Sequence, residues 1–294
     1  MTSATYEVRE GYVPVPGGRV WYKIVGSGDA VPLLTLHGGP GAPHDCLEPL
    51  AELANERPVV FYDQLGCGNS DQPDDNSLWR IERFVEELGQ VRAALGLERV
   101  HLLGQSWGTI LATDYALTRP AGLTSLIMAD PSLSIPRWMA DTAVLRAALP
   151  DEVQEILDRH ETAGTTTSEE YEAATMVFYR RHFCRLDPWP DPLMRTMTRL
   201  NQSVYNYMCG PSEFFITGTL KDYDRTERLQ EILIPTLFLC GRYDEATPEA
   251  TEWYHSLLPA SVLVIFEQSS HMPHLEEPEH YLQVVRNFLK RVEG

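Results

Sequence analysis

Apolar and polar positions change rhythm several times along the chain, and each change marks an element. Residues 6–25 alternate apolar and polar on either side of Pro16-Gly17-Gly18. Period-two alternation around such a break predicts a hairpin, Glu7–Val15 and Arg19–Val25. Gly26-Ser27-Gly28-Asp29 makes a second turn. Beyond it, short runs are apolar throughout: Pro32–Leu36, Pro58–Tyr62, Val100–Leu103, Leu123–Ala129, Pro235–Cys240 and Ser261–Phe266. Such runs predict strands buried on both faces. Between them the period lengthens. Ile81, Phe84, Val85, Leu88, Val91 and Leu95 predict a helix within 79–95, and Thr109–Leu117, Pro248–Leu258 and Pro278–Val292 predict three more. Alternating strands and helices predict an α/β fold whose mostly parallel central sheet is covered on both sides.

The alternation stops after Pro131. Residues 132–230 hold no buried strand pattern, only helical stretches at Met139–Leu149, Asp151–His160, Glu169–Phe183 and Leu193–Tyr207, with a proline-rich joint at Asp187–Pro192. The predicted organisation is one core in two parts, 1–131 and 231–294, interrupted by a helical cap at 132–230. There is no internal repeat and no low-complexity tract.

Composition narrows the classes. The 294 residues carry 24 basic and 42 acidic side chains, a net charge of −18. That balance repels phosphate backbones and anionic membranes, so neither nucleic acid nor a membrane is expected as a partner. The five cysteines, Cys46, Cys67, Cys184, Cys209 and Cys240, are scattered and form no C-x-x-C pair. Reduced thiols are expected, with no disulfide framework and no zinc or other metal site. Met1–Glu7 has neither a basic nor an apolar leader region, and no apolar run approaches the about 18 residues that span a bilayer. The expected setting is soluble and cytoplasmic.

The chemistry starts at Gly104-Gln105-Ser106-Trp107-Gly108, between a predicted strand and a predicted helix. G-x-S-x-G in that context is a nucleophile elbow: a turn so sharp that the flanking positions must be glycine, with the serine held above the sheet edge. A serine hydroxyl needs a base, and the base needs an orienting acid. In an elbow fold these follow in the order Ser, acid, His, on loops after later strands. Asp244 lies just past the strand ending at Cys240, and His271 just past the strand ending at Phe266. The predicted triad is Ser106, Asp244 and His271, with His274 the competing base. An oxyanion hole needs two preorganised donors. The Trp107 backbone N–H is one; the other is assigned to Gly39, with Gly38 second, in the His37-Gly38-Gly39-Pro40-Gly41 loop after an early strand.

His37-Gly38-Gly39-Pro40-Gly41, Asp63-Gln64-x-Gly66-x-Gly68-x-Ser70, Gly104-x-Ser106-x-Gly108 and Gly241-x-x-Asp244 together resemble the proline iminopeptidase family of α/β hydrolases, peptidase family S33. Asn201–Asp222, which contains Gly210-Pro211-Ser212-Glu213-Phe214, is similar to the branch holding the tricorn-interacting aminopeptidase F1 and L-amino acid amidases. The resemblance spans nearly the whole chain. It implies an α/β-hydrolase fold with an inserted helical cap. It also implies that Glu213 and Glu245 bind the substrate's free α-ammonium. Two carboxylates suit that task, because each gives a charge-assisted hydrogen bond and a blocked amine leaves them unpaired.

The resulting expectation is a cofactor-free serine aminopeptidase or amidase. It would release an N-terminal proline or other apolar residue from a small peptide or amino acid amide with a free amine. The cap is expected to close the pocket and limit substrates to small ones. Trp107 is expected to shape the first-residue pocket, and Trp138, Tyr205 and Phe214 stand as core aromatics that could complete it. The same triad also allows an esterase, a lactonase or a biosynthetic-pathway hydrolase, and a non-catalytic scaffold is the reading from another class.

Overall fold

The computed structural model describes residues 6–294; the first five, part of the stretch inspected for a leader, lie outside the described residues. Eight strands form one sheet: β1 (Val8–Val15), β2 (Gly18–Val25), β3 (Leu33–Leu36), β4 (Val59–Tyr62), β5 (Val100–Gln105), β6 (Leu123–Ala129), β7 (Thr236–Gly241) and β8 (Ser261–Phe266). Their order is β1-β2-β4-β3-β5-β6-β7-β8. The β1–β2 hairpin is antiparallel and β2 joins β4 antiparallel, while β4, β3, β5, β6, β7 and β8 pair in parallel.

Alternate residues of each central strand enter different layers, which is why those strands are apolar throughout. Leu34, Leu36 and Leu102 pack with α1 (Ile81–Ala94), α2 (Trp107–Leu117) and α8 (Pro248–Leu257). Leu33, Leu103 and Ile127 pack on the other side with a 3₁₀ segment, His44–Asn55, and α10 (Pro278–Glu293). The 3₁₀ segment contains Pro49, and the sequence reading has no element there.

Between β6 and β7 lie α3 (Ile135–Ala147), α4 (Asp151–Ala163), α5 (Glu169–His182), α6 (Asp191–Thr198) and α7 (Gln202–Met208). The helix predicted over Leu193–Tyr207 is therefore two helices. Asn201 divides them. Its Oδ1 accepts from the N–H groups of Ser203 and Val204, capping α7. Its own N–H donates to the Gly41 carbonyl, and its Nδ2 donates to the Gly66 carbonyl at 2.8 Å. The break docks the helical segment onto both early glycine loops. A second joint is ionic: Arg195 and Arg199 reach Asp45 of the 3₁₀ segment at 3.0 and 2.7 Å. A short α9 (Pro273–Glu276) precedes α10. Among the described residues no helix is long and apolar enough to cross a membrane.

Candidate active site

Strand β5 runs straight into α2 at Ser106, whose φ is +53°. An L-residue holds that conformation only under constraint. Here the Ser106 N–H donates to the Ala129 carbonyl at 2.9 Å, and its own carbonyl accepts from Thr109 Oγ1 at 2.6 Å. The two glycines are a packing requirement. A Cβ on Gly108 would strike the Leu36 carbonyl oxygen, and one on Gly104 would strike the Gly108 carbonyl. The Trp107 N–H heads α2, where no intrahelical acceptor exists.

The loop after β3 is fixed from beneath. His37 is fully buried, its Nδ1–H donating to the Gly38 carbonyl at 2.9 Å and its Nε2 accepting from the Gln64 N–H at 3.0 Å. Burial holds this imidazole below its ordinary pKa, in keeping with the neutral tautomer the two bonds require. Gln64 Oε1 then accepts from the Trp107 indole N–H at 2.8 Å. Asp63 binds the N–H groups of His44 and Asn69, each at 2.8 Å. Burial raises its pKa, but hydrogen bonding to His44 and the charges nearby carry it below the ordinary value. Ser70 Oγ accepts from the Trp21 N–H and donates to the Asp63 carbonyl. The Asp63–Ser70 stretch is thus a brace for the Gly38-Gly39 loop and the Trp107 ring.

Asp244 and His271 meet at the ends of β7 and β8. His271 Nδ1–H donates to Asp244 Oδ1 at 2.7 Å, and the Ala246 N–H donates to the same oxygen at 2.7 Å. The imidazole is held from the helical side. Phe183 stacks on it at 5.6 Å between ring centres, and Trp138 meets it edge-on at 5.8 Å. His274 is elsewhere in chemical terms. It is buried against Tyr281, its ring nitrogens have no partner, and burial together with His271 lowers its pKa to about 3. His271, unlike His274, faces the cavity that Ser106 lines.

Ser106 stands between two cavities. One, about 520 Å³, is lined by Gly38, Gly39, Ser106, Tyr179, Glu213 and His271 among others. It reaches the surface at the exposed residues Thr167, Glu172, Gln202 and Asn206. The expected closed pocket is therefore an open chamber. The other cavity is about 20 Å³ and apolar, with Gly39, Trp107, Ile110, Trp138, Ile216 and Leu220 in its wall. Gly39 borders both cavities; Gly38 borders only the larger.

Glu213 lies on the wall of both. Its Oε1 accepts from the Tyr205 hydroxyl at 2.6 Å, and its carbonyl accepts from the Trp138 indole at 2.7 Å. Glu245 is fully buried, and neither carboxylate oxygen has a partner. Burial raises both pKa values, that of Glu245 far more, with the charges of Glu213 and Asp244 adding to the rise. Tyr179 stands between the two glutamates in charge terms: burial first, then Glu213 and Glu245, push its phenol upward. Sequence reasoning missed Tyr179 and Phe183. They were assigned only to a helical stretch, and nothing local marks them as facing the site. Asp130, just past the apolar run Leu123–Ala129, carries no local signal either. Phe214, by contrast, packs away from the site on Phe178.

The same architecture occurs in known proteins. Residues 31–278 match the family model for the alpha/beta hydrolase fold. A proline iminopeptidase from Heyndrickxia coagulans is 50% identical over 96% of this chain and 99% of its own length. Among solved structures, VinJ superposes with a TM-score of 0.94 at 40% identity, covering 97% of this chain and 99% of that one. A Mycobacterium smegmatis proline iminopeptidase superposes with a TM-score of 0.89 at 38% identity, covering 97% and 98%. With four sequence motifs, an eight-stranded sheet and whole-length relatives in agreement, this chain belongs to the proline iminopeptidase family of α/β hydrolases.

Proposed function

We propose that the protein is a serine aminopeptidase that also cleaves amino acid amides, removing a compact apolar first residue such as proline from substrates with a free amine. One observation carries the reading. Glu213, half-buried on the wall of both cavities, and Glu245, fully buried next to Asp244 in the chain, feel one another's charge, and Glu245 has no partner for either oxygen. Buried carboxylates without partners are costly unless a cation joins them. A substrate ammonium one bond from the scissile carbonyl carbon's neighbour is such a cation. The names of the whole-length relatives support the same class.

The chemistry follows from the side chains. Ser106 Oγ attacks the carbonyl carbon while His271 Nε2 takes the hydroxyl proton. Asp244 orients the ring through Nδ1–H and stabilises the imidazolium. The developing oxyanion lies between the N–H groups of Gly39 and Trp107. Collapse breaks the C–N bond, and His271 passes its proton to the departing amine. Water, deprotonated by His271, then cleaves the acyl-enzyme and restores Ser106. The scheme calls on no cofactor. The first side chain lies toward the small cleft beside Trp107 and Ile216, which at about 20 Å³ takes only its tip, the chamber receives the leaving group, and the helical segment acts as the cap.

The test is a panel of prolyl, alanyl and phenylalanyl amides and nitroanilides, each free and N-acetylated. Free-amine substrates should turn over, and acetylation should remove nearly all activity. Equal rates with and without acetylation, or brisk ester hydrolysis with no amide cleavage, would replace this reading with an esterase or lactonase.

A further inference from the structure

Asp130 is a buried carboxyl group that the scheme above leaves without a task. It follows the last residue of β6, and Asp244 follows β7, its parallel neighbour in the sheet. One oxygen of Asp130, one oxygen of Asp244 and one ring nitrogen of His271 all lie within 4.8 Å of one another. Neither Asp130 oxygen has a hydrogen-bond partner, and Oδ2 of Asp244 has none either. The backbone at Asp130 is held in the left-handed region, φ +53°, with its N–H donating to the Leu239 carbonyl at 2.7 Å. Aspartate and asparagine tolerate that conformation better than other residues with a side chain. Three unpartnered carboxyl oxygens in one buried cluster call for a proton between the carboxyls.

We infer that Asp130 is a positioning residue: a neutral carboxylic acid whose O–H donates to Asp244 Oδ2 and so fixes the acid that orients His271. The inference rests on the triad reading given above. The proton belongs on Asp130 because Asp244 already accepts from His271 and Ala246 through Oδ1, two hydrogen bonds that favour its charged form. A contact with the Gln105 side chain favours a charge on Asp130, but burial outweighs it. Burial, and then the Asp244 charge, push its carboxyl well above the ordinary range. The other titratable groups around it are Glu276 of α9, Tyr281 of α10 and Cys240 of β7. None of these is a cation, so the surroundings favour the protonated form. The bond does two things for the reaction. It locks the rotation of the Asp244 carboxylate so that Oδ1 faces the ring. It also draws charge toward Oδ2, away from the imidazole.

The two substitutions that separate the possibilities are Asp130→Gly and Asp130→Asn. Glycine suits the backbone and deletes the donor; asparagine suits the backbone and keeps a neutral donor. Rates are read on the best free-amine nitroanilide and on p-nitrophenyl acetate, with melting temperatures alongside. Asp130→Gly should lower kcat by about tenfold or more on both substrates, with KM changed by less than about threefold. The acid limb of its pH–rate profile should move to higher pH, because more of the Asp244 charge then faces the ring. Asp130→Asn should restore most of the rate and return the limb toward its wild-type position. If Asp130→Gly does not fold, Asp130→Ala, which also deletes the donor, takes its place in the comparison with Asp130→Asn.

Three results would overturn the inference. Asp130→Asn could be as slow as Asp130→Gly with the acid limb at lower pH, which would make Asp130 an anion. Both variants could keep wild-type rates and profiles. Or the wild-type enzyme could lose activity on chelation and regain it with a divalent cation, which would place a metal between the carboxylates. The ester keeps the test independent of the aminopeptidase reading, since any triad substrate reports on Asp244. An unimpaired Ser106→Ala enzyme would instead remove the triad itself.

Discussion

At the scale of the residue, Glu245 shows how function is set against stability. Its carboxyl is buried with no hydrogen bond to either oxygen, and burial followed by the charges of Glu213 and Asp244 raises its pKa far above the ordinary range. A carboxyl that titrates higher folded than unfolded contributes stability below its unfolded value, about 4.3, and loses it as pH rises through the folded value. Glu245→Gln removes that loss. The variant should therefore melt higher than wild type, by about 2–4 °C for each kcal/mol recovered, and the gain should be larger at about pH 8 than at about pH 5. The same change should lower kcat/KM on free-amine substrates by about 10–100-fold, the worth of one charge-assisted hydrogen bond. Thermal melts at two pH values and steady-state kinetics check the two halves. A variant that is less stable at both pH values would show that Glu245 is structural.

At the scale of the element, the elbow and the α6–α7 break carry the site. Gly108→Ala places a methyl group against the Leu36 carbonyl, with neither strand nor helix free to move aside. The expected loss is about 1–3 kcal/mol or more, read from urea midpoints. Asn201→Ala removes the α7 cap and the link to Gly66, so a loss of about 1–2 kcal/mol is expected, together with a raised KM. The two elements also show what the sequence could and could not reveal. Strands β3 to β8 were legible to within about two residues, because each must be apolar on both faces to sit in a parallel sheet. The placing of Ser106, Asp244 and His271 after successive strands was legible because that order is imposed by the topology. The helix break at Asn201 was not, since its partners Gly41 and Gly66 lie more than a hundred residues away in sequence and the local spacing remains helical. Residues 44–55 were missed because Pro49 interrupts the helical signal. Asp130, Tyr179 and Phe183 take their meaning from neighbours on other elements, which no local pattern records.

At the scale of the whole molecule, a net charge of −18 surrounds a site proposed to receive a cation. The field should draw free-amine substrates in, and salt should weaken it. Raising sodium chloride from about 0.02 to about 0.5 M is expected to lower kcat/KM several-fold for a prolyl nitroanilide with a free amine. An uncharged ester should be almost unaffected. The helical segment is part of the site as much as a cover for it: Trp138 and Phe183 hold the imidazole, and Glu213 stands on both cavity walls. Its attachment at Asp45 through Arg195 and Arg199 therefore bears on catalysis as well as folding.

The two cavities flanking Ser106 differ some 25-fold in volume, about 20 against about 520 Å³. That asymmetry imposes a calendar on turnover. On the proposed mechanism the leaving amine departs first, through the mouth at Thr167 and Asn206, while the acyl group stays on Ser106. Water enters by the route the amine has vacated. The freed amino acid leaves last and along the same path. Product inhibition should report this sequence: the first product noncompetitive with substrate, the released amino acid competitive with it.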